Sequence, residues 1–417
     1  MLPGEGRVLR LQRIVGRMSA GLGIGSASIA VAVLGVYLGM SPAMAQSSGP
    51  SWVYDISPGT WGAISRNTLS DVDPEDDPSA NPNYPGSAPW HGSTGQRSVI
   101  VDWNGGAYAQ NYGSFGSLLL TGGGHAAYQG NEVYAFDLDT RLWKRVNDPY
   151  TGPYSSSSNG AYSDGSPLTV HTMDVLSYHP ATKSLVRLKG TTNSYAGNGQ
   201  IVVAFMLDLE TKAWRRSRVN PVEIITSGIS CYDTNRDVFW FQNQASANWK
   251  FQKYDPNGSN GDGTVGTWTN YPASYINSDG AGACDPVNDA FVYTQFRSDT
   301  PDYMRGVCVR DLSNPSAPAV QISPQGTSPV SGESGAHGWE WSNKRQAFIF
   351  WRRGGSVYEL RLVSGSPQTG TWRWTKLTSG SNSVVPQSMA LDRGVYSRFQ
   401  IATLGDEEVG VVVNRED

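Results

Sequence analysis

The stretch Leu118–Val146 constrains the fold of this chain more than any other, because it contains three short strands in succession. An apolar run ends at three glycines, Gly122–Gly124, and a strand of alternating character, Glu132–Asp137, follows them. A third strand, Leu142–Val146, comes after a tight polar turn. This succession predicts most of one four-stranded antiparallel sheet.

A fixed spacing between an aspartate and a tryptophan marks the end of this unit. Asp137 precedes Trp143 by six residues, and Asp208 precedes Trp214 by the same number. A strand, a glycine pair, the pattern Val-Tyr-x-Phe-Asp and a tryptophan six residues later resemble one blade of a kelch-type β-propeller. The resemblance covers roughly residues 98–413. It implies a ring of four-stranded antiparallel sheets around a central axis.

The strand pattern repeats along the rest of the chain. The predicted sets are Ser98–Trp103, Ser117–Thr121, Glu132–Asp137 and Leu142–Val146; Met173–Tyr178, Ser184–Lys189, Ile201–Asp208 and Ala213–Arg216; Ser227–Asp233, Asp237–Gln242, Lys250–Asp255 and Thr267–Tyr271; Gly280–Asp285, Ala290–Gln295, Gly306–Asp311 and Ala319–Ile322; and Gly335–Ser342, Ala347–Trp351, Val357–Leu362 and Trp372–Leu377. A sixth set, Gln387–Asp392, Phe399–Thr403 and Glu408–Val413, lacks a fourth strand, which Thr60–Ser65 would supply. We therefore predict an all-β fold, a single kelch-like propeller of six blades closed by an N-terminal strand. Seven blades are the alternative if residues 67–97 or 147–165 contain further strands.

The composition agrees with one large all-β domain. The 417 residues include 48 Gly and 24 Pro, together with 14 Trp and 20 Tyr. Short strands separated by Gly/Pro turns, with aromatic side chains between the sheets, are typical of such a balance.

Residues 1–45 have the character of a signal peptide. A basic start is followed by Ala20–Met40, which carries no charge, and by Ala43-Met44-Ala45, the small-x-small pattern that signal peptidase cuts. We predict cleavage before Gln46, with an uncleaved anchor as the alternative because the apolar run is long. Residues 46–97 then supply the closing strand and a polar, Pro-rich loop, and residues 98–417 form the propeller. The folded part is expected to be secreted or periplasmic.

Charge and cysteine content restrict the partners. A net charge of −4, with no run of Lys or Arg, does not favour a nucleic-acid partner. We expect no membrane contact in the mature form and a monomer. Cys231, Cys284 and Cys308 allow one disulfide and one thiol, but three buried, unpaired cysteines are the favoured arrangement.

Candidate functional residues gather on one predicted face, where the loops before the first strand of each blade meet the loops between the second and third strands. We assign catalysis to His125, His171, Tyr128, Tyr195 and Arg297, and ligand binding to Asn131, His337, Arg305, Arg352, Tyr303 and Asp279. Of the five histidines, all but His179 fall on this face.

Two functions use these residues. The favoured one is binding of a carbohydrate or another extracellular ligand, because rigidly held aromatic and polar groups suffice for it. The alternative is a polysaccharide lyase acting by β-elimination on a uronate polymer. There His125 or His171 would be the base, and Tyr128 or Tyr195 would protonate the leaving oxygen. The carboxylate would be neutralised by one of four arginines: Arg297, Arg305, Arg352 or Arg353.

A metal site is a third possibility with less support. His91, His125, His171 and His337 come from different parts of the chain, with no HxH or HExxH pair among them, so no metal and no cofactor is assigned. Tyr178-His179 is similar to a copper-ligand pair of galactose oxidase, which shares kelch repeats, but we place it at the opposite face. A purely structural role for His125 and His171, as strand-capping or blade-connecting groups, fits the sequence equally well.

Overall fold

The computed structural model describes residues 9–14, 49–124, 126–152, 157–193, 199–223, 228–243, 250–273, 280–295, 306–330, 337–352, 354–377, 386 and 394–414. Within these ranges the helical segments are short: one four-residue helix, α1 Ser98–Val101, and the 3-10 turns Ser51–Val53, Ser70–Val72, Pro74–Asp76 and Tyr396–Arg398. Strands make up the rest of the regular structure, so the prediction of an all-β chain is confirmed. None of the helices in these ranges is long and apolar enough to cross a membrane.

The strands are short and evenly spread. In chain order they are β1 Leu9–Ile14, β2 Trp61–Ala63, β3 Gly106–Ala109, β4 Ser117–Leu120, β5 Tyr134–Asp137, β6 Leu142–Arg145, β7 Leu176–His179, β8 Ser184–Arg187, β9 Gly190–Thr191, β10 Gln200–Val202, β11 Phe205–Asp208, β12 Trp214–Arg216, β13 Asn220–Glu223 and β14 Gly228–Asp233. They continue as β15 Val238–Asn243, β16 Lys250–Ser259, β17 Val265–Pro272, β18 Gly282–Asp285, β19 Ala290–Gln295, β20 Gly306–Asp311, β21 Val320–Ile322, β22 Gly338–Ser342, β23 Ala347–Trp351, β24 Val357–Ser364, β25 Thr371–Leu377, β26 Phe399–Leu404 and β27 Glu407–Val413.

Among the described residues, these strands form six four-stranded antiparallel sheets and one three-stranded sheet, β9-β10-β13. We number the four-stranded sheets along the chain: sheet 1 is β3-β4-β5-β6, sheet 2 is β7-β8-β11-β12, sheet 3 is β14-β15-β16-β17, sheet 4 is β18-β19-β20-β21, sheet 5 is β22-β23-β24-β25 and sheet 6 is β26-β27-β1-β2. We call β3, β7, β14, β18, β22 and β26 the first strands. Each first strand contacts the first strand of the next sheet, and β26 also contacts β3. The arrangement is consistent with a β-propeller.

Sheets 3, 4 and 5 follow the predicted strands within a few residues. Sheet 1 differs, because the predicted first strand, Ser98–Trp103, contains the helical turn α1 and β3 takes its place. The turn buries the adjacent residues Val99 and Ile100 in the core cluster that also contains Leu118 and Leu120 of β4. The side chain of Asn104 donates to the carbonyl of Ser98 at 2.8 Å and fixes the end of the turn.

Sheet 6 contains strands from both ends of the chain. The predicted N-terminal strand is found as β2, at the outer edge of this sheet. Strand β1 lies between β27 and β2, which the sequence did not predict. The predicted strand Gln387–Asp392 lies outside the described residues. Cleavage before Gln46 stays a prediction, and it would remove β1 from the sheet.

The tight turns share one device, an aspartate at the end of a strand. In sheet 1, Oδ1 of Asp137 accepts the backbone N–H groups two and three residues later, both at 3.0 Å. Asp208, Asp233 and Asp285 accept hydrogen bonds in the same way. The fourth residue after each aspartate has a positive φ: Arg141 63°, Lys212 62°, Asp237 57° and Asp289 56°. The aspartate stabilises a turn whose closing residue is left-handed, which fits the recurrence of Asp in the sequence.

A disulfide joins two neighbouring sheets. Cys231 in β14 and Cys284 in β18 are bonded with their Cα atoms 5.5 Å apart, and Cys308 is a buried free thiol. The preference for three unpaired cysteines is therefore wrong. Because the first strands of sheets 3 and 4 run side by side, residues separated by 53 positions in the sequence reach bonding distance.

Replacement of both Cys231 and Cys284 by Ser should lower the free energy of unfolding by about 2–4 kcal/mol, since the bond closes a long loop in the unfolded chain. Urea unfolding of the parent and the double variant under non-reducing conditions measures the difference. As the control, a reductant should destabilise the parent and leave the double variant unchanged. Equal stability of the two proteins without reductant would contradict this role for the bond.

Candidate functional site

Six of the predicted site residues lie outside the described residues, and the structure says nothing of their placement: His125, Tyr195, Asp279, Arg297, Tyr303 and Arg305. The other five, Tyr128, Asn131, His171, His337 and Arg352, are described. Arg352 is partly exposed, whereas the other four are buried.

Tyr128 and Asn131 are held by hydrogen bonds inside the fold. The Tyr128 hydroxyl donates to Oε1 of Glu132 at 2.7 Å, and Tyr134 donates to the same oxygen at 2.6 Å. Burial raises the pKa of Glu132 and, still more, that of Tyr128. The side chain of Asn131 donates to the Ser166 hydroxyl at 2.8 Å. These contacts fix the loop between the second and third strands of sheet 1.

The two described histidines of the predicted set lie between neighbouring sheets. His171 packs edge-on against Trp103, with ring centroids 5.1 Å apart. His337 Nε2 lies 2.6 Å from the Thr294 hydroxyl, and its ring lies 4.5 Å from that of Phe350. Both are buried connecting groups in this structure, and their roles in catalysis or ligand binding stay predictions.

Metal binding finds no support in the part of the chain that the structure describes. No group of three or more His, Cys, Asp or Glu side chains there is arranged to hold a metal ion. His91, one of the histidines considered for such a site, is partly exposed and pairs through Nδ1 with Glu75.

A cavity of about 420 Å³ lies among the first strands of all six four-stranded sheets, and we call it the central cavity. Five of its lining residues directly follow a first strand: Gln110, Pro180, Thr234, Pro286 and Asn343. The cavity therefore reaches the ends of the first strands that lie opposite the loops favoured by the sequence. Its volume is within the range of small-molecule sites, about 300–1,000 Å³.

Aromatic residues line the central cavity, and their hydroxyl groups are already engaged. Tyr108 donates to the carbonyl of Thr403 at 3.1 Å, and Tyr232 donates to Oδ1 of Asp237 at 2.6 Å. The Tyr178 hydroxyl is bonded to the side chain of Asn111. These residues can therefore offer a ligand ring surface and an acceptor oxygen, but not a hydrogen-bond donor. Trp341 adds a fourth aromatic side chain to the lining.

Two carboxyl groups line the same cavity. Asp174 is only 4% exposed, and its Oδ2 accepts the backbone N–H of Gly282 at 2.8 Å. Glu340 is partly exposed, and its Oε1 accepts the side-chain amide of Gln400 at 2.7 Å. Both groups stand on or beside first strands, so they project into the space where the sheets converge.

The environment favours the neutral forms of both carboxyl groups. Burial raises the pKa of Glu340 to about 8, against the opposing effect of the Gln400 hydrogen bond. Burial also raises the pKa of Asp174 well above its ordinary value, and the charge of Glu340 raises it further. The described residues that line the cavity include no Lys, Arg or His, so none of them gives either carboxylate a positively charged partner.

The sequence contains a signal for this pair of carboxyl groups. First strands are built mainly from small and apolar residues, as in Gly282–Asp285 before its turn aspartate. Glu340 interrupts such a strand between two tryptophans, and Asp174 precedes another without being a turn aspartate. An acidic residue at a crowded, buried position is costly and points to a site.

No protein-family profile matches this chain, and no curated protein matches it. Among solved structures, the chain is similar to YjhT with 11% sequence identity and a TM-score of 0.39, over 62% of this chain and 80% of that one. It is also similar to TolB from Acinetobacter baumannii with 14% identity and a TM-score of 0.36, over 65% of this chain and 56% of that one. Likenesses this distant carry no functional argument. The class, an all-β chain consistent with a β-propeller, follows from the sheets themselves.

Glu340→Gln should remove a loss of stability that grows with pH. The carboxyl ionises near its ordinary value of 4.5 in the unfolded chain but only at about 8 in the folded protein. Between these values the unfolded state binds fewer protons, so the parent loses stability as the pH rises, and the variant is spared this loss. The glutamine keeps an oxygen that can accept from Gln400. Thermal melts at about pH 5 and about pH 9 should show the difference in Tm moving in favour of the variant.

The matched control is Glu210→Gln, since Glu210 is exposed and makes only a surface ion pair with Lys183. Its difference in Tm from the parent should change little with pH. A difference for Glu340→Gln that is equally independent of pH would contradict the raised pKa of Glu340.

Proposed function

We propose that the protein is an exported, kelch-like β-propeller of six blades whose central cavity binds a small polar ligand, a carbohydrate. The observation that carries this proposal is the composition of the cavity. It brings ring surfaces, amides, hydroxyl groups and two carboxyl groups from six sheets into one space of about 420 Å³.

The propeller with six blades is supported by the contacts among the first strands. These strands contact one another in sequence from β3 to β26, and β26 contacts β3. Strand β2, from the N-terminal part of the chain, forms the outer edge of sheet 6. In this structure β2 is joined to β27 through β1, which lies within residues 1–45. In an exported chain that begins at Gln46, we propose that β2 pairs with β27 directly, which would close the ring and protect its strand edges.

A saccharide suits the lining better than an apolar ligand does. Sugars present apolar ring faces, which pack against aromatic rings, and hydroxyl groups, which exchange hydrogen bonds with amides and carboxyl groups. Tyr108, Tyr178, Tyr232 and Trp341 supply the rings. Gln110, Ser177 and Ser230 add polar groups to the lining.

Export is supported by two observations of different kinds. The disulfide between Cys231 and Cys284 is of a type that persists in oxidising compartments. The basic start, uncharged run and small-x-small pattern of residues 1–45 are those of a signal peptide. We accordingly propose a secreted or periplasmic location.

Lyase action on a uronate polymer is not favoured by the central cavity. Such a reaction needs a cation to neutralise the substrate carboxylate, and the described residues that line this cavity include no Lys, Arg or His. Of the arginines considered for that task, Arg297, Arg305 and Arg353 lie outside the described residues, and Arg352 does not line this cavity. The lyase therefore stays a prediction for the other face.

The test is a panel of mono- and disaccharides, with binding measured by calorimetry on the purified chain. Ser177→Trp should abolish binding of any sugar that the parent binds, or weaken it at least about tenfold, because the indole would fill space in the cavity that Ser177 lines. The matched control is Ser323→Trp, since Ser323 is exposed and does not line the cavity. Circular dichroism of each variant checks that the fold is kept.

Two results would overturn the proposal. One is that no sugar in the panel binds to the parent. The other is that Ser177→Trp binds a sugar as tightly as the Ser323→Trp control does, which would place the site elsewhere. Release of unsaturated products from uronate polymers, followed by ultraviolet absorbance and kept in Ser177→Trp, would instead favour the lyase at the other face.

A further inference from the structure

We propose that the central cavity selects a ligand with one ammonium group, an amino sugar in preference to its neutral counterpart, and recognises that group through the carboxyl groups of Asp174 and Glu340. This inference depends on the proposed function and makes it more specific. It assigns the two carboxyl groups to recognition of a positive charge on the ligand.

The first step is the absence of a counter-charge in the cavity. The hydrogen bonds that the structure gives to the two carboxyl groups come from neutral amides, Gly282 N–H for Asp174 and the Gln400 side chain for Glu340. Among the described residues, the ion pairs found elsewhere in the protein involve neither carboxyl group. A ligand cation would supply the missing charge.

The second step is that both carboxyl groups line the same cavity of about 420 Å³, Asp174 from a position beside β7 and Glu340 from β22. This environment favours the neutral state of both groups, and a ligand ammonium in the cavity would favour their charged state. A ligand that fills the cavity can therefore pair its ammonium with these carboxylates through its N–H donors.

The third step is the aromatic ring surface in the cavity lining. The hydroxyl groups of Tyr108 and Tyr232 donate their hydrogens within the protein, so both residues can present ring atoms and an acceptor oxygen, but no donor, to a ligand. Aromatic faces attract ammonium groups, and a neutral hydroxyl in the same position gains much less. Charge and ring surface therefore favour the same chemical class.

Few other groups can titrate at this site. The titratable lining residues besides the two carboxyl groups are Tyr108, Tyr178 and Tyr232, and burial raises the pKa of each phenol, so all three stay neutral near pH 7. Of the elements packed against β22, β18 contributes Asp285, whose carboxylate is occupied by its own turn, and β23 and β26 contribute no titratable side chain. The 3-10 turn Tyr396–Arg398 contributes Tyr396 and Arg398, and the Arg398 guanidinium donates to the carbonyls of Gly394 and Val413. Proton release on binding would thus come from Asp174 and Glu340.

The test compares three probes at about pH 7: D-glucosamine, D-glucose and N-acetyl-D-glucosamine, which keeps the substituent at the same carbon but lacks the charge. Calorimetry on the full chain should show glucosamine binding at least about tenfold more tightly than either neutral sugar. Measured in buffers of different ionisation enthalpy, glucosamine should release protons on binding, since an ammonium favours the charged carboxylates.

Two variants locate the effect. Glu340→Gln and Asp174→Asn keep the size of the side chains and an acceptor oxygen, and each should bring the affinity for glucosamine to within about threefold of that for glucose. Glu340→Gln should also release fewer protons on binding. Glu210→Gln, which removes an exposed carboxylate outside the cavity, should keep the parent preference.

The outcomes separate this inference from the proposed function. Equal binding of the three sugars, lost in Ser177→Trp, would leave the carbohydrate site standing and overturn the ammonium inference. A preference for glucosamine that persists in both carboxyl variants would overturn it as well, because the charge would then be recognised elsewhere. Binding of none of the three sugars would count against both.

Discussion

The fold depends on the crowding of six first strands around one space. Each first strand packs against the first strands on either side, and little room remains for side chains where they meet. A Cβ atom at Gly338 would lie 2.2 Å from Cβ of Phe399, and one at Gly282 would lie 2.5 Å from the ring of Phe291. Glycine at these positions lets neighbouring backbones and rings approach, and any other residue would force the strands apart.

Polar groups connect neighbouring sheets at places where apolar packing alone would leave the sheets free to shift. His179 in sheet 2 lies 2.8 Å through Nε2 from Oδ1 of Asp237 in sheet 3, and Tyr232 donates to the same oxygen at 2.6 Å. The disulfide between Cys231 and Cys284 joins sheets 3 and 4. Each connection is local to one pair of sheets, so the sheets are held together by a series of neighbour contacts. Among the described histidines, His179 and His337 make such connections.

The same crowding makes it energetically unfavourable for a side chain in the central cavity to carry a charge. Asp174 and Glu340 lie where burial opposes ionisation, and burial therefore raises the pKa of both carboxyl groups. A fold under no functional demand would have apolar or small residues there, as most first strands do. The energetic cost is the physical reason for assigning function to this space. The ring surfaces around it indicate what kind of ligand would offset the cost.

By itself, the sequence determined the local features of this protein. Most strands lie where the alternation of apolar and polar residues and the turn residues predict them. A turn aspartate such as Asp233 stabilises its turn by accepting hydrogen bonds from the backbone N–H groups two and three residues later. The class of fold follows, because many short antiparallel sheets admit few arrangements. The helical turn at Ser98–Val101 was not predicted, because a run of β-branched residues is typical of a strand.

Only the tertiary structure decided which residues meet. The pairing of Cys231 with Cys284, the burial of His171 and His337 between sheets, and the convergence of Asp174 with Glu340 all join positions far apart in the chain. The spacing of residue types along a sequence predicts the next turn or strand. These contacts depend instead on how the sheets are placed relative to one another. The predicted loop-face residues stay predictions, since the structure describes only some of them and none of those lines the central cavity. The interior between the sheets exists only once the sheets have assembled.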